Sequence, residues 1–183
     1  MPDMMSNANP PRRTGLQHWT RVLQHLWSDP GDAVRRIGQG AIERVQKEVS
    51  ASEARHSGEI RVCIEAGLPL SYLWRDASAR ERAVSLFGKL GVWDTEANNG
   101  VLIYLLLADH AIEIVADRGL NRYVSAAQWQ AIVAQMHDAF QSGRFEAGLL
   151  AAVAAVDRLL VEHFPREAGS TDLNELPDAP VLR

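Results

Sequence analysis

A chain of 183 residues with 46% apolar and 23% charged residues has the size and composition of one globular domain able to bury its own core. Its net charge of −4 offers no overall basic field for neutralising phosphates, so no nucleic-acid partner is expected, and no run of residues reaches the length of a membrane span. Cys63 is the only cysteine, which excludes an intramolecular disulfide and a cysteine-rich zinc site.

Residues 1–15 are polar and rich in Pro and Asn, and disorder is expected there. They carry neither the apolar core nor the small-residue cleavage site of a secretory signal, so a cytoplasmic address is the default. Leu16, Trp19, Val22, Leu23, Leu26 and Trp27 then recur at helical spacing up to the break at Asp29, Pro30 and Gly31. Around this helix Arg12, Arg13, Arg21, Arg35 and Arg36 outnumber Asp29 and Asp32. A basic helix of this kind can lie on an anionic membrane surface, with Trp19 and Trp27 at headgroup level beside Arg21, Arg35 and Arg36. The plain alternative is a helix packed on its own domain with a solvated arginine face. A second helix is predicted from about Ala33 to His56, with Ile37, Ile42, Val45 and Val49 inward and Gly58 as its stop.

From Glu59 to Ala66 the chain alternates Ile60, Val62 and Ile64 against Arg61, Cys63 and Glu65, the period of a strand with one wetter face. The connection Gly67 to Arg75 is unusually apolar. Its Leu70, Tyr72 and Trp74 are candidates for docking a partner, as against tucking under the sheet as core. Asp76 is a plausible N-cap for a helix that places Ala79, Ala83, Leu86, Phe87 and Leu90 on one face and stops at Gly91. Val101 to Ala108 is continuously apolar, as expected of a central strand running parallel to the first after a right-handed crossover. Asp109 and His110 tolerate the positive φ of a tight turn, so Ala111 to Ala116 is predicted to return antiparallel.

Ser125 with Gln128 reads as a capping box opening a helix with Trp129, Ile132, Val133, Met136 and Phe140 on one face. After Gly143, Leu149, Val153, Val156, Leu160 and Phe164 mark a last helix that stops before Pro165. The tail beyond is expected to lie extended on the surface. These elements make an α/β domain with a small mixed sheet. They divide the chain into residues 1–15, an N-terminal helix over 16–36, a domain over 37–166 and a tail over 167–183.

Reversal after Asp109 is expected to bring the loop Trp93 to Asn99 beside the exit of the third strand. Asp94, Glu96, Asn98, Asn99 and Asp117 then form an inventory of hard oxygen donors suited to Ca²⁺ or Mg²⁺, with Arg118 as a competing charge partner. The mundane alternative is a set of loop-forming Asx turns and a solvated Asp117–Arg118 pair. The histidines, His18, His25, His56, His110, His137 and His163, stand in no metal-ligand spacing, and no nucleophile elbow, P-loop or dinucleotide motif is present. Cys63 reads as a structural strand residue.

The segment from Val92 to Asp109, VWDTEANNGVLIYLLLAD, followed by EIVADRG from Glu113 to Gly119, resembles the core of the TPM domain family. SGEIRV from Ser57, AFQSGRFEAG from Ala139 and NELPD from Asn174 are similar to further family segments, in the same order. The resemblance implies an α/β/α sandwich, with calcium binding and weak acid-phosphatase activity in some relatives and roles in maintaining membrane protein complexes. The chain departs from the family pattern where many relatives read Asp-Asn-Gly, having Asn98, Asn99 and Gly100, and again at Asn121 and Ala126. The function this implies is a non-catalytic binding module for membrane-associated complexes, with a weak Ca²⁺ or Mg²⁺ site. The alternative is a metal-assisted acid phosphatase acting on phosphomonoesters, with Asp94, Glu96 and Asp117 on the cation and Arg82 or Arg118 steadying phosphate.

Overall fold

The computed structural model describes residues 15–27, 31–166 and 175–183, so the expected disorder of residues 1–15 lies, apart from Gly15, outside the described residues. The period-two segment forms β1 (Ile60–Glu65) and the unbroken apolar run forms β2 (Val101–Leu106). They pair in parallel, with Ile60 opposite Val101 and Glu65 opposite Leu106. β3 (Ala111–Ala116) returns antiparallel along β2, as the reversal at Asp109 and His110 predicts.

A fourth strand was not legible. β4 (Val181–Leu182) pairs in parallel with β1, giving the order β3-β2-β1-β4. The tail, expected to lie extended on the surface, does so along the outer edge of β1, whose backbone groups would otherwise be open. Ala66 N–H donates to Arg183 O at 2.8 Å and Arg183 N–H to Ile64 O at 3.0 Å.

The helices are α1 (Gly15–Leu26), α2 (Gly31–Ile37), α3 (Gln39–Glu53), α4 (Leu70–Trp74), α5 (Ala79–Lys89), α6 (Ala126–Gln141) and α7 (Phe145–His163). The single helix expected from Ala33 to His56 is two. Gly38, with φ 87°, breaks it into α2 and α3, and α3 ends at Glu53, well before Gly58. Ser78, not Asp76, caps α5: its Oγ accepts the Glu81 N–H while the Glu81 carboxylate accepts the Ser78 N–H. The Ser125–Gln128 box opens α6 as predicted.

Helices cover both faces of the sheet. Val62, Ile64, Ile103 and Leu105 pack with Val45 and Val49 of α3, Phe140 of α6 and Leu149, Val153 and Leu160 of α7. On the other face Cys63, Leu102, Tyr104 and Leu106 pack with Leu73 of α4 and Ala83 and Leu86 of α5. Each such aliphatic side chain contributes about 1.5–3 kcal/mol when fully buried. The β1 face predicted to be wetter therefore lies under α5, with Cys63 and Glu65 buried and only Arg61 part-exposed. Among the described residues no helix is long and apolar enough to cross a membrane.

Candidate functional site

The reversal after β2 brings the two predicted stretches into contact. Asp117 N–H donates to Gly100 O and Gly119 N–H to Asn98 O, each at 2.9 Å, and Arg118 Nε donates to Asn98 Oδ1 at 2.9 Å. The approach depends on glycine. A Cβ on Gly119 would stand 2.4 Å from Asn98 O, and one on Gly100 would stand 2.0 Å from Val92 O. Beside the junction is a cavity of about 170 Å³ lined by Asn98, Arg118, Gly119, Arg122, Tyr123 and Phe164. The Tyr123 ring stacks on His163 there at 4.7 Å.

The predicted oxygen donors divide. Asp117 Oδ1 accepts the Arg118 N–H at 2.6 Å, while Asp117 Oδ2 and Asn99 Oδ1 are buried without a hydrogen-bond partner among the described residues. Burial pushes the Asp117 carboxyl up, opposed by the Arg118 N–H and guanidinium. Asn99 turns inward, its Nδ2 donating to Ser57 O at 3.1 Å. Asp94 and Glu96 stay exposed, and the Glu96 N–H is taken by the Glu175 carboxylate at 3.2 Å. Among the described residues no three His, Cys, Asp or Glu side chains gather closely enough to hold a metal ion. What the junction offers is one carboxylate with amide oxygens, a donor set that fits a weakly held hard cation and no more.

Arg82 is not at this junction. It lies with Glu65 at the far end of β1, where its Nε and Nη2 reach the Glu65 carboxylate at 2.9 and 2.5 Å and Tyr104 OH donates to the same carboxylate at 2.6 Å. Both partners are about 4% exposed, so Arg82 neutralises Glu65 and does not join Arg118 on a common anion. Ser52, His56 and Asp157 form a second buried network. Ser52 Oγ lies 2.8 Å from His56 Nε2 and donates to Asp157 Oδ1 at 2.8 Å. Although the residue types are those of a hydrolytic triad, Ser52 and His56 have no exposed surface and tie α3 to α7 instead.

The TPM domain family model matches residues 32–159. The chain belongs to the TPM domain family. The NMR structure of the BA42 protein from the psychrophilic bacterium Bizionia argentinensis is similar at 27% identity and a TM-score of 0.66, over 78% of this chain and 92% of that one. The N-terminal domain of a P. gingivalis protein shares the fold at 21% identity and a TM-score of 0.58, over 77% of this chain and 95% of that one. No curated protein matches.

α1 precedes the matched residues of this TPM protein and β4 follows them. α1 is docked by its polar side chains. Arg21 Nη2 reaches Asp109 Oδ2 at 2.8 Å and Ala77 O at 3.0 Å, and its Nη1 reaches Asp76 Oδ1 at 3.0 Å. His25 Nδ1 accepts the Leu68 N–H at 2.9 Å, which leaves Nε2 to donate to Asp109 Oδ1 at 2.9 Å. Gln24 Nε2 adds a bond to Ala108 O at 2.6 Å. Val22 packs on the Leu102–Leu106 face of the sheet, while Trp19 is 61%, Leu23 54% and Trp27 86% exposed.

This corrects part of the membrane-facing set. Arg21 is 6% exposed and points inward, whereas Arg35, paired with Asp32 at 2.7 Å, and Arg36 are both exposed. Of the docking candidates, Leu70 and Trp74 are exposed, while Tyr72 is half-buried with the Arg75 and Arg82 guanidinium groups 4.6 and 4.9 Å from its ring centre. Of the anchors of α1, Leu68, Ala108 and Asp109 lie just past the C-terminal ends of β1 and β2, and Asp76 and Ala77 lie between α4 and α5, joined to Asp109 through Arg21. Trp19, Leu23, Trp27, Leu70 and Trp74 therefore share that end of the molecule, opposite the Asn98–Asp117 junction. Asp109, read from the sequence as a turn residue, is the hub of this clamp. It is 88 residues from Arg21, a separation at which spacing carries no signal.

Proposed function

We propose that this TPM domain is a non-catalytic accessory module that docks on an anionic membrane surface, alongside membrane-associated complexes, by the end bearing α1 and α4. The observation that carries the reading is an exposed apolar stripe at α1. Trp19 and Leu23 of α1 and Trp27 just after it fall on one helical stripe, and burying Arg21 and His25 while leaving two tryptophans and a leucine in water leaves that stripe without cover. Tryptophan is the side chain best suited to the headgroup region, and Arg12 and Arg13 just before the helix add the positive charge an anionic surface attracts. The test is flotation of the full chain with phosphatidylcholine vesicles that do or do not contain phosphatidylglycerol. The chain is expected to float with the anionic vesicles, and the Trp19→Ser, Trp27→Ser double variant to lose about tenfold in binding. A wild-type chain that stays at the bottom of both gradients sinks the reading.

A second reading, weak divalent-cation binding at the opposite end, is favoured by the two unpartnered buried oxygens, Asp117 Oδ2 and Asn99 Oδ1. A Ca²⁺ titration followed by backbone NMR is expected to move Asn98–Gly100 and Asp117–Gly119 in the wild type and not in Asp117→Asn. The hydrolytic alternative is disfavoured because, among the described residues, Asp94, Glu96 and Asp117 do not gather on one cation, and Arg82 is committed to Glu65.

A further inference from the structure

The last nine residues are held mainly through their backbone. The Glu59 carboxylate accepts the N–H groups of Glu175 and Leu176 at 3.0 and 3.3 Å. Arg61 Nη1 donates to Ala179 O at 2.9 Å and also to Pro177 O. The β1 ladder completes the set at Ile64 and Ala66, and only Val181 and Leu182 have strand partners. Apolar side-chain contacts occur at three positions: Leu176 and Val181 pack on the Cys63–Tyr104 face of the sheet, and Leu182 packs on the opposite face, while the Glu175 carboxylate accepts the Glu96 N–H at 3.2 Å. Contacts of this kind read an extended backbone and a few apolar positions, which is how a sheet edge accepts an added strand.

We propose that the outer edge of β1 is a docking groove for an extended peptide, filled within one molecule by residues 175–183 and between molecules by the same segment of a second copy. The attachment of the tail allows this. Arg166 lines one cavity together with Glu59, whose carboxylate holds the Glu175 N–H, so the two ends of the connection from Arg166 to Glu175 sit at a single rim. Eight residues can span roughly 26–29 Å, far more than that connection needs. Exchange remakes the same bonds, so no contact energy opposes it. The balance is set by protein concentration against the effective concentration of a tethered tail, on the order of millimolar.

Val181 stands opposite Cys63 in the ladder, and Cys63 is the only cysteine, so Val181→Cys in the full chain reports which molecule supplies the strand. Isotopically heavy and light preparations of this variant are mixed at about 10 µM and about 1 mM, bracketing the range where exchange competes, then oxidised, and the cross-linked 63–181 peptides are weighed by mass spectrometry. Same-isotope links are expected at both concentrations, and mixed heavy–light links are expected to rise at least about tenfold at the higher one. Same-isotope links alone at both concentrations overturn the proposal. Should the variant misfold, fluorescein-labelled Glu175–Arg183 peptide is titrated with unmodified chain. Its anisotropy is expected to rise, less so with Arg61→Ala chain, and not at all for a peptide carrying Val181→Asp and Leu182→Asp. No rise for the native peptide up to about 1 mM, the effective concentration it must match, overturns the proposal equally.

Discussion

Asp109 bears on folding and on function at once, because one carboxylate decides which way α1 faces. Burial works against its charge, but the hydrogen bonds from His25 and Arg21 and the charge of Arg21 outweigh that and hold it well below the usual carboxylate range. A depressed carboxylate contributes stability that is full above its unfolded pKa, near about 4, and is lost as pH falls further. Acid is therefore expected to release α1 before the sheet unfolds, seen as early loss of hydrogen-exchange protection at the Leu68 amide. Asp109→Asn leaves Arg21 with less of its buried partner and is expected to cost about 2–3 kcal/mol by urea unfolding. Glu53 has the opposite sign. Burial, with Glu59 and Asp178 nearby, pushes its carboxyl up to about 8 against the help of the Ile60 N–H bond. The folded state thus prefers it protonated, so its contribution declines as pH rises from the ordinary 4.5 to about 8. Glu53→Gln keeps an acceptor for Ile60 N–H, and urea midpoints at acidic and alkaline pH are expected to show a shallower decline in this variant than in the wild type. Burial likewise pushes the Cys63 thiol up to about 12, which accords with its reading as a structural residue.

At the scale of the element, glycines that look alike in the sequence have different costs. Gly119→Ala drives a Cβ into the Asn98 and Ala97 carbonyls at 2.4 and 2.8 Å, both backbone atoms that cannot step aside cheaply. A loss of about 2–3 kcal/mol is expected, together with weakening of the β2–β3 junction. Gly88→Ala, in α5 with open space around the added Cβ, is expected to gain about 0.5 kcal/mol through helix propensity. Thermal unfolding of the two variants checks both signs. The capping box at Ser125 and the strand at Val101–Leu106 were legible because each is a local pattern. The break at Gly38 was not, since an isolated glycine inside a helical period weakens the helix without by itself ending it. Ser78 displaced Asp76 as the cap because Asp76 is engaged by Arg21, a contact across 55 residues.

For the molecule as a whole, exposed aromatic residues at one end and an oxygen-lined junction at the other separate folding from docking. Trp19→Ser with Trp27→Ser is expected to leave the urea midpoint within about 0.5 kcal/mol of wild type, because both side chains face water already. A larger loss would mean that the tryptophans serve the fold and not a surface. Of the candidate site, the meeting of Asn98 and Asp117 followed from reversal at Asp109, while the exclusion of Asp94 and Glu96 depended on side-chain direction. The apolar and polar periods of this chain determined by themselves that it is α/β, where its three longer strands run, and that β1 and β2 are parallel, because burial patterns and crossover handedness are written in local order. Tertiary structure alone decided that α1 lies with its tryptophans outward, that Arg82 neutralises Glu65 and that the tail closes the sheet. Each of those outcomes rests on a charge pair or a strand edge whose two halves are far apart in sequence, and the partner of a charge is chosen by what folding brings within a few ångströms of it.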